Sequence, residues 1–165
     1  MLVRTLLLQY ARYNQWAHKS LLDLINSLDA EQHHAVVASS FNSLYKTVMH
    51  VWGAESLWLM RLNLEPTKRL GDPFEGSMEK LSKALEEIDQ QWVDWFTGKE
   101  DARLTEKLHY TNMAGQPFTE SYDILLTHIF NHSTYHNGQL VTMMRALAVD
   151  KIPSTDYVTW TRLEQ

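Results

Sequence analysis

The sequence predicts an all-α protein folded as a four-helix bundle. In four long segments, apolar residues recur at spacings of three and four, which places them on one face of a helix. All four prolines lie between or after these segments. Strand character is weak throughout, so only a short hairpin before the last helix is expected. A chain of 165 residues is most simply one domain, residues 1–165.

The first helix is expected from about residue 2 to residue 28. Its expected inward face consists of Val3, Leu7, Tyr10, Asn14, Ala17, Leu21, Leu24 and Leu28. Asn14 is the one polar member, and a buried amide needs hydrogen-bond partners. The polar stretch 29–40, with His33 and His34, is expected to be a connecting loop whose histidines are solvated.

The second helix is expected to begin after Asn42 or Ser43, either of which can cap it, and to continue to about residue 64, before Pro66. Its main apolar face is Leu44, Val48, Val51, Trp58 and Leu62. Glu55 projects near the centre of that face, where an unpaired carboxylate would be costly. His50 lies beside the face.

The third helix is expected to start after Ser77 and to end near Phe96, before Gly98. Its apolar face is Met78, Leu81, Leu85, Ile88, Trp92 and Trp95. The following stretch, 104–118, contains turn residues and predicts a small hairpin that includes His109.

The fourth helix is expected over residues 119–148, with one face formed by Leu125, His128, His132, Gln139, Met143 and Ala146.

Composition excludes several classes of function. The net charge of −5 and the pI near 5.9 argue against a broad nucleic-acid-binding surface. The chain has no cysteine, which excludes disulfides, thiolate ligands and a cysteine nucleophile. No apolar run approaches the roughly 20 residues of a membrane span or forms a signal peptide. We therefore expect a cytoplasmic protein without a membrane or nucleic-acid partner.

Histidines at four-residue intervals are the most informative feature of the chain. On a helix, each step of four residues advances only about 40° around the axis, so His132 and His136 project from adjacent turns, with His128 at the edge. Imidazole binds zinc, nickel, copper and iron. The alternative is that these histidines are ordinary packed residues.

A metal site would need a third ligand from another helix. His50 is the leading candidate and His18 the second, although each can equally be a histidine on a helix surface. The chain lacks a His-Glu-x-x-His motif and a repeated Glu-x-x-His motif. Their absence argues against a zincin site and a ferritin-like di-iron site.

Three stretches together resemble the DinB/YfiT-like superfamily over nearly the whole chain. Tyr13-Asn-Gln-Trp-Ala17 resembles the signature of its first helix, and the segment 43–59, around His50, is similar to its second helix. Asn131-His-Ser-Thr-Tyr-His-Asn-Gly-Gln139 resembles its fourth helix. Each stretch is weak alone, whereas the three in this order are specific.

The resemblance implies an up-down-down-up bundle with a long connection between the second and third helices, and a homodimer. It also implies that His50, His132 and His136 are the metal ligands, with His128 as a neighbour of the site. Asn137 departs from the family, which usually has arginine there, so any role of that arginine is not carried over. Gly138 is retained and could allow close helix approach, and Gln139 could hydrogen-bond a ligand.

Three histidine ligands would leave a coordination position open to water or substrate, as in catalytic zinc sites. The resemblance suggests thiol-dependent transferases, which use low-molecular-weight thiols, and a related isomerase. We expect a metal-dependent thiol transferase or a hydrolase with a small-molecule substrate. The alternatives are a non-catalytic metal-binding or stress-response protein, and an interaction protein whose histidines only pack. For the ion, we expect zinc or nickel ahead of iron or copper.

The free ring nitrogens of the ligands would need hydrogen-bond partners. Glu55, Asn14 and Asp156 are the candidates from the sequence. If the C-terminal tail folds over the mouth of the bundle, Asp156 and Tyr157 would line the pocket; the alternative is a surface cap without a chemical role.

Overall fold

The computed structural model describes residues 2–65, 74–97, 101–112 and 114–163. Its α-helices are α1 (Leu2–Asn26), α2 (Ala30–His34), α3 (Leu44–Leu62), α4 (Met78–Trp95), α5 (Tyr122–Ala146) and α6 (Tyr157–Leu163). A short 3-10 helix, Asp101–Thr105, precedes the antiparallel strands β1 (Lys107–Thr111) and β2 (Pro117–Ser121). The four long helices α1, α3, α4 and α5 form the bundle, so the predicted fold class and the hairpin before the last long helix are confirmed.

Two large apolar clusters reveal the direction of each long helix. One includes Leu7, Leu62, Trp95 and Leu126, and the other includes Ile25, Val48, Leu81 and Met143. The first cluster therefore joins the starts of α1 and α5 to the ends of α3 and α4, and the second joins the opposite ends. The order is up-down-down-up, as the resemblance implied.

Because α3 and α4 run in the same direction, the end of α3 and the start of α4 lie at opposite ends of the bundle. The end of the chain between them lies beside the start of α3, where the Tyr45 hydroxyl donates to the carbonyls of Phe74 and Gly76 at 3.0 and 2.9 Å. The expected helix stop at Pro66 and the expected boundary at Gly98 lie outside the described residues.

The long helices pack so that α1 and α3 each lie mainly against α4 and α5. All four helices consequently contribute to the centre of the bundle. No helix within the described ranges is long and apolar enough to cross a membrane.

Helix starts follow the capping residues expected from the sequence. The side chain of Ser43 accepts a hydrogen bond from the backbone N–H of Lys46, and Ser77 accepts one from Lys80. These bonds satisfy backbone donors that have no partner within the helix. α5 begins at Tyr122 rather than near residue 119, because residues 119–121 pair with β1.

The inward faces differ in detail from the expected ones. In α1, Val3 and Tyr10 are exposed, whereas Ala11 and His18 are buried. The buried residues of α1, among those described, are Leu7, Ala11, Tyr13, Asn14, Ala17, His18, Leu21, Leu22 and Ile25. On α5, His128 and Ala146 are exposed. Apolarity alone therefore misjudged the orientation of α1, since a buried histidine and an exposed tyrosine both break the pattern.

The hairpin docks on the end of α3 through Arg61 and through Leu108, which is buried in the same apolar cluster as Leu62. Arg61 donates to the carbonyl of Thr111 at 2.8 Å, and its Cζ lies 4.8 Å from the ring centre of Trp58 and 5.0 Å from that of Tyr110. His109 bonds to Thr119 across the two strands at 2.8 Å, so it belongs to the hairpin as expected.

Two short helices were not predicted. The polar stretch after α1 contains α2. At its start, the side chain of Asp29 accepts a hydrogen bond from the backbone N–H of Gln32, and the side chain of Gln32 accepts one from the backbone N–H of Asp29. His33 and His34 lie in this helix: His33 bonds to the carbonyl of Ile25 at 2.8 Å, and the ring of His34 lies against Tyr45. A five-residue helix is too short to display a periodic pattern.

The C-terminal tail forms α6 and packs on α1. Tyr157 contacts Tyr10 and Tyr13, and the Tyr13 hydroxyl donates to the carbonyl of Thr155 at 2.6 Å. Trp160 is buried beside Tyr13. This placement fits a cap on the bundle surface rather than a pocket lining at the histidines.

Candidate metal centre

Three imidazoles from two helices converge at the side of the bundle. The Nε2 atom of His132 lies 3.1 Å from Nε2 of His50 and 3.1 Å from Nε2 of His136. One ligating atom from each ring falls within 4.8 Å of the other two. The structure therefore brings together the three residues that were predicted as ligands.

The helices account for this convergence. His132 and His136 are one turn apart on α5, and their ring centres are 4.4 Å apart. α3 packs against α5, and His50 in the second turn of α3 reaches the same point. Residues 82 positions apart in sequence thus meet because two neighbouring helices run antiparallel.

The site lies at the boundary between the core and solvent. His50 and His132 are partly exposed, whereas His136 is buried. Burial, followed by the neighbouring His136, lowers the pKa of His50 to about 4. Burial, followed by the surrounding histidines, lowers the pKa of His132 to about 4, and burial also lowers the pKa of His136. Uncharged rings keep a lone pair for a cation.

Gln139 fixes the orientation of His136. Its side-chain oxygen is 2.8 Å from Nδ1 of His136, and its amide nitrogen donates to the hydroxyls of Ser40 and Tyr135 at 2.9 Å each. An amide that donates on its nitrogen side must accept on its oxygen side. His136 therefore carries its proton on Nδ1, and its Nε2 lone pair faces the other histidines.

The three Nε2 atoms cannot all be satisfied by hydrogen bonds to one another, which favours a bound cation. With the Nε2 atom of His136 unprotonated, a hydrogen on Nε2 of His132 can serve only one of its two 3.1 Å neighbours well. A cation satisfies all three lone pairs together. The site is a good fit for one divalent ion, because tetrahedral ligands at about 2.05 Å from zinc are separated by roughly 3.3 Å.

Phe41 covers one side of this site. Its ring stacks on His50 with centres 4.0 Å apart and an interplanar angle of 21°, and it lies 5.6 Å from the ring of His136. Phe41 belongs to the segment between α2 and α3, so that segment contributes an apolar wall. The sequence reasoning missed Phe41, and nothing in its local pattern marks it.

Of the expected neighbours, His128 lies beside the site, whereas Glu55 and Asp156 bond to serine side chains. His128 is exposed, and its ring centre is 6.0 Å from that of His132, so it lies beside the site as the resemblance implied. Glu55 accepts a hydrogen bond from Ser133 rather than from a ligand ring. The carboxylate of Asp156 is bonded to Ser154 in the tail.

Two residues of the α5 motif differ from expectation. A Cβ atom built on Gly138 would meet no atom of the described residues within 4 Å, so this glycine does not serve a close helix approach. Asn137 is buried. Neither nitrogen nor oxygen of its side chain has a hydrogen-bond partner among the described residues.

A second polar cluster, also missed, occupies the centre of the bundle. His18 does not join the other histidines; its Nδ1 lies 2.9 and 3.0 Å from the two carboxylate oxygens of Asp89. Burial opposes the charged form of His18, but the charge and hydrogen bond of Asp89 outweigh it and raise the pKa of His18 to about 9. Burial, together with the charge of Asp89, raises the pKa of Glu55 to about 8. A buried aspartate within the polar-looking run of α4 was the available signal.

Fold and site together define a helical bundle that carries a histidine triad on its second and last long helices. The chain belongs to the DinB family, whose family model matches residues 1–164. It is similar to the protein DinB of Bacillus subtilis strain 168, with 24% identity over 153 residues, covering 88% of this chain and 87% of that protein.

Solved structures share the same fold. A DinB-like protein from Bacillus cereus ATCC 10987 superposes with a TM-score of 0.65 at 18% identity, covering 88% of this chain and 94% of that one. YfiT from Bacillus subtilis, described as a probable metal-dependent hydrolase with an unusual four-helix bundle topology, gives 0.65 at 10% identity, covering 84% and 86%. At these identities, the likeness shows the fold alone.

Proposed function

We propose that this protein is a metal-dependent enzyme that acts on a small molecule, with water or a low-molecular-weight thiol as the nucleophile. The observation that carries the proposal is the convergence of three imidazole nitrogens, two of them 3.1 Å from the third. His50, His132 and His136 would hold the ion.

The ligand set supports a catalytic rather than a structural centre. Structural zinc sites are usually closed by four protein ligands, whereas catalytic sites keep a position for water or substrate. Three histidines with no cysteine in the chain match the open type. A divalent ion bound here would act as a Lewis acid that favours the deprotonated form of water or of a thiol.

The residues around the triad would orient the ligands and shape the pocket. Gln139 holds the Nδ1 proton of His136, so that Nε2 points inward. Phe41 stacks on His50, restricts its ring rotation and provides an apolar surface next to the open side. The partial exposure of His50 and His132 gives a small substrate access to this side.

The relatives support the same class of reaction. YfiT is described as a probable metal-dependent hydrolase, and it shares the bundle topology. The all-nitrogen ligand set suits zinc or nickel, followed by iron or copper. The net charge of −5 gives no reason to propose a nucleic-acid substrate.

The test uses the full chain, purified without a histidine tag, stripped by a chelator and reloaded with zinc or nickel. One arm supplies chromogenic esters and amides, and the other supplies cysteine or bacillithiol with an electrophilic aryl halide. We expect turnover in one arm, lost on chelation and restored by the ion. His132→Ala should be inactive in that arm, while His128→Ala, a histidine one turn away, should retain activity.

The two arms also identify the nucleophile. Turnover that needs no added thiol indicates a hydrolase, and turnover that depends on the thiol indicates a transferase. Metal-loaded protein that turns over neither class of substrate would instead indicate a non-catalytic metal-binding protein. Turnover that survives chelation would overturn the proposed role of the ion.

A further inference from the structure

The centre of the bundle contains charged groups that the histidine triad does not use. His18 on α1, Glu55 on α3 and Asp89 on α4 are all buried. One ligating atom from each of these residues lies within 4.8 Å of the other two. Three of the four long helices therefore direct metal-ligating side chains to one point, away from solvent.

The hydrogen bonds of this cluster are incomplete. Nε2 of His18 and Oε2 of Glu55 are buried and have no hydrogen-bond partner among the described residues. A buried polar atom without a partner costs about 1–3 kcal/mol. In their unprotonated forms, both atoms keep a lone pair that could bind a cation.

A divalent cation could bind at the point where the three side chains meet, because it lies about 2.0–2.2 Å from nitrogen and oxygen ligands. Two ligands on opposite sides of such an ion are roughly 4.2 Å apart, and the three ligating atoms here lie within 4.8 Å of one another.

We propose that His18, Glu55 and Asp89 form a second metal site, closed and buried, which binds a first-row divalent cation inside the bundle. Two carboxylates and one imidazole are a mixed set of oxygen and nitrogen ligands. Such a set suits manganese, iron or zinc better than magnesium or calcium, which prefer oxygen alone. The ion would tie α1, α3 and α4 together, so its role is structural.

This inference does not depend on the function proposed for the triad. The core site has different residues and a different ligand composition, and it is closed to substrate. A competing arrangement, in which protons on His18 and Glu55 neutralise the cluster, predicts no core ion.

The experiment counts bound ions by mass spectrometry after gel filtration. The full chain is refolded in the presence of zinc alone or manganese alone, since a closed core is filled most readily during folding. We expect two ions per chain with zinc. In the double variant His132→Ala, His136→Ala, the triad is disabled and one ion should remain. A folded double variant that retains no ion would overturn the proposal.

A variant of the core gives the complementary result. Asp89→Asn preserves the shape of the side chain and should lose the core ion while the triad keeps its own. Ser82→Ala, a buried polar change on the same helix, is the matched control and should keep both ions. If Asp89→Asn fails to fold, the double variant still decides the question.

Spectroscopy identifies the ligands independently of the count. Manganese in the double variant should show magnetic coupling to a single imidazole nitrogen, that of His18, by pulsed electron paramagnetic resonance. His18→Gln in the same background should remove that coupling. Coupling that persists in His18→Gln, or coupling to several imidazoles, would contradict the assigned ligands.

Discussion

The oxygen of Gln139 lies 2.8 Å from Nδ1 of His136, and this bond determines which nitrogen of His136 faces His132 and His50. Gln139 lies three residues after His136 on α5, so the same helix supplies both the proposed ligand and the group that orients it. The amide nitrogen of Gln139 is in turn held by Ser40 and Tyr135.

Replacing Gln139 should weaken metal binding without removing a ligand. In Gln139→Leu, the Nδ1 proton of His136 loses its acceptor, and we expect a loss of affinity of about 10- to 100-fold. Gln139→Glu keeps an acceptor oxygen and should bind nearly as well as the unaltered protein. Competition with a chromogenic chelator measures both, and an unchanged affinity in Gln139→Leu would remove this residue from the site.

The ligand set itself is tested by His132→Ala. Nε2 of His132 is 3.1 Å from Nε2 of each of the other two rings, so its loss removes both contacts. We expect one fewer ion per chain than in the unaltered protein, measured on metal-loaded samples after gel filtration. His128→Ala, an exposed histidine on the same helix, should keep the full count; equal counts in the two variants would reject His132 as a ligand.

The core should respond strongly to the loss of a fully buried leucine. Leu21 has no exposed surface and belongs to the apolar cluster at one end of the bundle. Leu21→Ala should lower the free energy of unfolding by about 2–5 kcal/mol, measured by urea denaturation. Val36→Ala, at a side chain that is 86% exposed, should change it by less than about 0.5 kcal/mol.

Arg61 should hold the hairpin against α3. Arg61→Ala removes the bond to the Thr111 carbonyl and both contacts with aromatic rings. We expect faster amide hydrogen exchange in β1 and β2, with a loss of about 1 kcal/mol in stability. Lys19→Ala removes an exposed cation on α1 and should leave exchange in the strands unchanged. If amide hydrogen exchange in β1 and β2 stays as slow in Arg61→Ala as in the unaltered protein, other contacts dock the hairpin.

The sequence by itself determined the long helices, their caps and the spacing of His132 and His136, because these depend on residues close together in the chain. Apolar residues that recur at spacings of three and four over many turns indicate a long helix. The side chains of Ser43 and Ser77 accept hydrogen bonds from backbone N–H groups three residues further along the chain. His50 was the leading candidate for a third ligand from another helix, and the resemblance implied the same residue.

Only the tertiary structure decided which polar side chains meet. His18 and Asp89 are 71 residues apart and pair because α1 packs on α4. Phe41 reaches His50 because the segment before α3 folds over the site. Polar partners of this kind leave no periodic signal, since their positions depend on how whole helices are rotated against one another.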